Sequence, residues 1–149
     1  MIRQLVIATL ASATLGTTAY AQCAYIPAKA VMSQPEYVLV FGGRVVDIQE
    51  ISSSASRATF EVQRVWKGSV PSRIDLYFAR HSEGPRFTKG EYAVASAVRL
   101  TADNRKTYGI PDTKTKTPVL YEAHGCVSGN DHKAFESELD KYPSHPPKR

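Results

Sequence analysis

The chain has 149 residues, 42% hydrophobic and 22% charged, with a formal net charge of +5. That length is one domain's worth and can bury a small but real core. The positive excess is interspersed along the sequence rather than run together, so it allows an acidic partner without requiring one.

The N-terminus reads as a targeting segment. Arg3 supplies a positive start, Leu5 to Leu15 is apolar or small and uncharged, and Ala19-Tyr20-Ala21 has the small-x-small pattern of a signal peptidase site. The apolar run is shorter than the roughly 20 residues that span a bilayer. Residues 1–21 are therefore expected to be a signal peptide, leaving a mature chain that begins at Gln22, is periplasmic or secreted, and has no membrane span. A buried first helix is the alternative. Lipidation at Cys23 is the other, but that processing favours a small residue before the Cys and an aliphatic one three before it, where Gln22 and Tyr20 stand.

The mature chain has two cysteines, Cys23 and Cys126, near its ends. In an oxidising compartment an even count reads as a disulfide. A pair of metal ligands is the competing reading, but the chain has neither a CxxC nor regularly spaced His.

Gln22 to Pro35 is irregular, with one helical turn suggested at Ala28–Met32. Glu36 to Glu50 is the first strand, and its Gly42-Gly43 pair marks a bend, a bulge or a close backbone approach. Ser52–Ser56 reads as a loop. Arg57 to Lys67 alternates through Ala58, Phe60 and Val62 on one face, then breaks at Val65-Trp66. Gly68 follows as a turn residue. Arg73 to Ala79 resumes alternation, with Ile74, Leu76 and Phe78 facing in and Asp75 and Tyr77 facing out. His81 to Lys89 reads as a loop, and Glu91 to Val98 as a strand.

Arg99 to Pro118 shows the least structure. Its five basic residues, Arg99, Arg105, Lys106, Lys114 and Lys116, outnumber Asp103 and Asp112. Val119–Tyr121 is a last short strand. A helix follows, with Asn130 as its N-cap and Phe135, Leu139 and Tyr142 on one face. Pro143 ends it, so the domain spans 22–142 and residues 143–149 are expected to be a disordered tail. Without a βαβ pattern, five strands and a closing helix predict a mainly β fold, a small five-stranded antiparallel barrel.

Several blocks carry a resemblance. Phe41-Gly42-Gly43-Arg44-Val45-Val46, Phe60-Glu61-Val62-Gln63-Arg64-Val65-Trp66-Lys67-Gly68, and the pair Gly84-Pro85-Arg86-Phe87 and Lys89-Gly90-Glu91-Tyr92-Ala93-Val94 resemble strands of tissue-inhibitor-of-metalloproteinase-like (TIMP-like) domains of the bacterial exported type. The resemblance covers most of Cys23 to Ser128. It implies a five-stranded oligonucleotide/oligosaccharide-binding-type (OB) barrel, the fold of netrin modules. The family usually begins Cys-x-Cys, whereas only Cys23 is present here. A partner Cys often precedes the segment that starts at Gly84, where this chain has Glu83. One family disulfide is thus missing as a pair, which suits Cys23 bonding Cys126. In the animal inhibitors a mature N-terminal Cys chelates the protease zinc, a group that Gln22 does not reproduce beyond its free α-amine. Fold analogy does not carry the activity.

Trp66-Lys67 is a candidate binding platform, set against a reading in which Trp66 plugs one end of the barrel. Arg105 and Lys106 are candidates for an acidic polymer, set against a solvated loop. Nucleic acid is disfavoured by the exported address. His81, His124, His132 and His145 lack metal spacing, so no metal or other cofactor is expected. The sequence therefore reads as a non-catalytic binding module for an envelope or extracellular protein. A metalloprotease inhibitor acting through the N-terminal segment and adjacent loops is the second reading. A small periplasmic enzyme is the third, resting on His124 beside Cys126, which a disulfide would exclude.

Overall fold

A computed structural model describes residues 26–81, 84–111, 119–124 and 133–149. The elements in chain order are α1 (Ala28–Ser33), β1 (Leu39–Glu50), β2 (Ala55–Lys67), β3 (Arg73–Ala79), β4 (Tyr92–Arg99), α2 (Ala102–Thr107), β5 (Tyr121–Ala123) and α3 (Lys133–Leu139). The strands close into a barrel in the order β1-β2-β3-β5-β4, with β4 returning to β1.

One expectation is corrected by geometry. A closed ring with an odd number of strands cannot reverse direction at every neighbour, so a wholly antiparallel five-stranded barrel does not exist. The exception falls between β3 and β5, which pair in parallel at Tyr77↔Glu122. The remaining four pairings are antiparallel.

The glycine pair in β1 behaves as its sequence suggests. The β1–β2 register shifts between Gly42 and Gly43. A Cβ on Gly43 would lie 2.4 Å from the Glu61 carbonyl oxygen, and one on Gly42 would lie 1.9 Å from the Tyr92 hydroxyl. Gly43 thus faces a neighbouring backbone that only a bare residue can approach, while Gly42 makes room for the end of the Tyr92 side chain.

The interior is filled by inward-facing residues of all five strands, among them Phe41, Val45, Phe60, Val62, Leu76, Ala95 and Ala123. Phe41, Phe60, Phe87 and Phe78 form a chain of edge-to-face contacts with centroids 5.2 to 5.4 Å apart. A second core lies outside the barrel, where α1 and α3 cover Val40, Trp66 and Val94. A third gathers Ala55, Tyr77, Leu100 and Tyr108 beside α2. Tyr77, expected to face solvent, is 9% exposed because this outer cluster covers it.

The single closing helix expected from sequence is joined by two others. Besides α3, α1 occupies the suggested turn, and α2 lies in the stretch that had shown the least structure. Thr101 explains α2 locally: its hydroxyl accepts from the Asn104 N–H at 3.2 Å, an N-cap bond, and Asp103 sits in the first turn.

Residues 143–149, expected to be disordered, pair with the edge of β2 and the turn after it. Val65 and His145 exchange both backbone bonds at 2.9 Å, and Ser72 donates to the Lys148 carbonyl at 3.0 Å. Past Arg64 the β2 backbone still has groups to satisfy, and the tail supplies partners. His145 and Lys148 carry N–H groups that Pro143, Pro146 and Pro147 lack.

Candidate functional site

The sequence-derived candidates separate. Gln22, Cys23 and Cys126 lie outside the described residues, and so do the signal segment and the Asn130 cap. Trp66 is 5% exposed. Its neighbour Val65 faces the barrel interior, so Trp66 points outward into the core under α1 and α3. It covers the barrel wall instead of plugging its end. The Arg64 guanidinium lies over its ring at 4.7 Å, a cation–π contact, and also pairs with Asp140 of the turn after α3.

Lys67 is committed internally. Its Nζ donates to the carbonyls of Val31 at 3.0 Å and Gln34 at 2.7 Å, satisfying the end of α1. Desolvation holds its pKa below the ordinary lysine value, against an upward pull from Glu36. At the other end of α1 the Ala28 N–H donates to Glu138 of α3 at 2.8 Å. Gly68 ends β2 with φ 82°, the left-handed turn its sequence context predicts. Arg105 and Lys106 occupy the last turn of α2, favourable to its dipole. Lys106 lines a recess of about 440 Å³ with Asp103, Gly109 and Ile110, so a carboxylate shares its surface.

A more convergent site lies at the mouth of the barrel, where β1 ends and β2 begins. Register determines which residues point into it. Ala58 faces the core and pairs with Ile48 on one side and Leu76 on the other, so all three share the inner face. One layer further out, Glu50, Ser56 and Phe78 are aligned in the same way. Together with Phe87 from the segment after β3, Ile48, Ser56 and Phe78 line an open recess of about 560 Å³.

Its rim is basic. Arg80, His81 and Arg86 line the recess, and Pro85 is buried beside them. Arg80 pairs with Glu50 at 2.6 Å and donates to the Ser52 carbonyl at 3.3 Å. Arg86 has no ion pair among the described residues. The sequence reading passed over this site because His81–Lys89 looked like a loop. The available signal was three basic residues, Arg80, His81 and Arg86, on either side of a short break before an aromatic.

Among the described residues no group of three or more His, Cys, Asp or Glu is placed to hold a metal ion. No described helix is long and apolar enough to cross a membrane. No family model matches the chain, and neither a curated protein nor a solved structure matches it.

Proposed function

We propose that this chain is an exported, non-catalytic binding module on a TIMP-like, OB-type barrel, engaging an envelope or extracellular protein. The observation that carries the reading is the barrel mouth: an apolar floor built from three strands and one loop, with arginines at the rim. Such a surface offers hydrophobic contact and charge for recognition, and barrel mouths are common places for ligands. The insertion of β5 between β3 and β4 supports the OB-type assignment. The Cys23–Cys126 bridge belongs to this reading, and titration of two free thiols in unreduced, denatured protein would remove it.

The test is cross-linking of the mature protein in an envelope extract. A one-to-one complex should be recovered and should reform from its purified components with the partner intact. A partner that is cleaved or modified on reconstitution would replace this reading with an enzymatic one, and no reconstituted complex would sink it.

One observation favours metalloprotease inhibition as a second reading. Lys67 and Glu138 fix both ends of α1, the first described helix, against the barrel. A helix fixed in this way loses less entropy when it is presented at the edge of a cleft. Inhibition of a metalloprotease panel at micromolar concentration, abolished by acetylating the N-terminus, would support it. Absence of inhibition would count against it.

A further inference from the structure

We propose that the barrel mouth receives an acidic segment of a partner protein, seating one apolar side chain against Phe87 and Ile48 and flanking carboxylates on Arg86 and Arg80. The inference rests on the binding-module reading and adds a ligand class to it.

The floor decides between peptide and carbohydrate. Ile48, Phe78 and Phe87 present hydrocarbon, and the polar floor residue, Ser56, is 6% exposed. Phe87 is held by edge-to-face contacts to Phe60 and Phe78, each at 5.2 Å, so the floor is pre-organised. An apolar side chain gains about 25 cal/mol for each Å² it buries there. A hydrated sugar gains less of this term, a small inorganic anion gains none, and both find few polar partners on the floor.

The rim decides the sign of the charge. Arg86 is exposed and has no ion pair among the described residues, so its guanidinium can take a carboxylate in two-point fashion. Arg80 is shared with Glu50, whose side chain is 64% exposed and which faces the same mouth. A ligand carboxylate therefore exchanges with Glu50 at Arg80, while Arg86 supplies a charge that no ion pair among the described residues offsets. Glu50 tunes the site by competing with whatever binds.

The experiment uses mature protein and a fluorescein-labelled peptide with one phenylalanine between paired aspartates, read by fluorescence polarisation and by amide shift mapping. Saturable binding should perturb Ile48, Ser56 and Arg86, and should weaken with salt. Arg86→Glu should reduce affinity about tenfold or more, as expected for reversal of a contacting charge. Glu50→Gln should raise it several-fold by freeing Arg80, an effect that damage to the fold would not produce. Replacing the peptide's phenylalanine with alanine, or its aspartates with asparagines, should abolish binding. The proposal is overturned by no saturable binding up to about 1 mM peptide, by shifts located elsewhere, or by a uronic-acid oligosaccharide that fills the mouth more tightly than the peptide. A reconstituted partner complex that is indifferent to Arg86→Glu would overturn it while leaving the binding-module reading intact. Peptide binding at the mouth without any recoverable partner would support the ligand class and count against the partner protein.

Discussion

Tyr92 of β4 and Glu136 of α3 meet through one hydrogen bond, in which the phenol donates to Oε1 at 2.8 Å across the bare backbone of Gly42. Burial raises the Tyr92 pKa, and the bond to Glu136 raises it further. Tyr108, bonded to Glu122, shifts the same way for the same reasons in the same order. A group whose folded pKa lies above its unfolded value stabilises fully below the unfolded value, here 10.0, and loses that contribution as pH rises towards the folded one. Stability should therefore fall above pH 10. Tyr92→Phe should cost about 1 kcal/mol at neutral pH and flatten the alkaline decline, as read by urea titration at the two pH values.

Gly42→Ala places a methyl group where the Tyr92 phenol already sits. Overpacking of this kind should cost about 2 kcal/mol. Pairing it with Tyr92→Leu should recover part of the loss, because the obstructing atoms belong to the tyrosine ring. A double-mutant cycle by chemical denaturation measures the coupling, and strict additivity would rule out this contact as the cause.

Trp66 is the only tryptophan in the chain, which makes its environment directly readable. Its emission should be blue-shifted and shielded from iodide in the folded protein, and should move to the red on unfolding. Trp66→Ala should lower stability by about 3 kcal/mol or more. Its effect should concentrate on α1 and α3, whose amides should lose more exchange protection than those of β3.

Removing residues 143–149 deletes the backbone bonds that Val65, Val70 and Ser72 make with His145 and Lys148. It also deletes the Ser144 hydroxyl that accepts from Arg64 Nε at 2.9 Å. The truncated protein should still fold, with stability lower by about 1 to 2 kcal/mol. A denaturant midpoint equal to that of the full chain would show that the tail contributes nothing.

The strands were legible because their period is simple. Phe60 and Val62, or Ile74 and Leu76, declare an inner face at every second residue, and β3 carries the expected limits, Arg73–Ala79. β5 shifted from the expected 119–121 to Tyr121–Ala123, since three residues cannot show a period. α2 was obscured by its charge: Arg105 and Lys106 suggested a solvated loop, while Thr101 and Asp103 carried the capping signal. The floor of the mouth was not legible, although its basic rim left a trace. Ile48, Ser56, Phe78 and Phe87 come from four segments, and only the register of β1 on β2 and β2 on β3 brings them together. Trp66 misled for a similar reason, because adjacent Val65 and Trp66 serve two different cores.

The parity that forces one parallel neighbour also creates a seam. Tyr77 and Glu122 stand 45 positions apart in the chain and form the one rung of β3 on β5 among the described residues. Closing the chain over that span costs more entropy than closing the β1–β2 or β2–β3 hairpin. The Glu122 carboxylate is held by Tyr108 and by Asn104 Nδ2, so α2 acts as a latch across the joint. Among the described residues this short stave has the fewest rungs to break of any pairing in the ring, and the side chains of α2 and its cap add bonds at it.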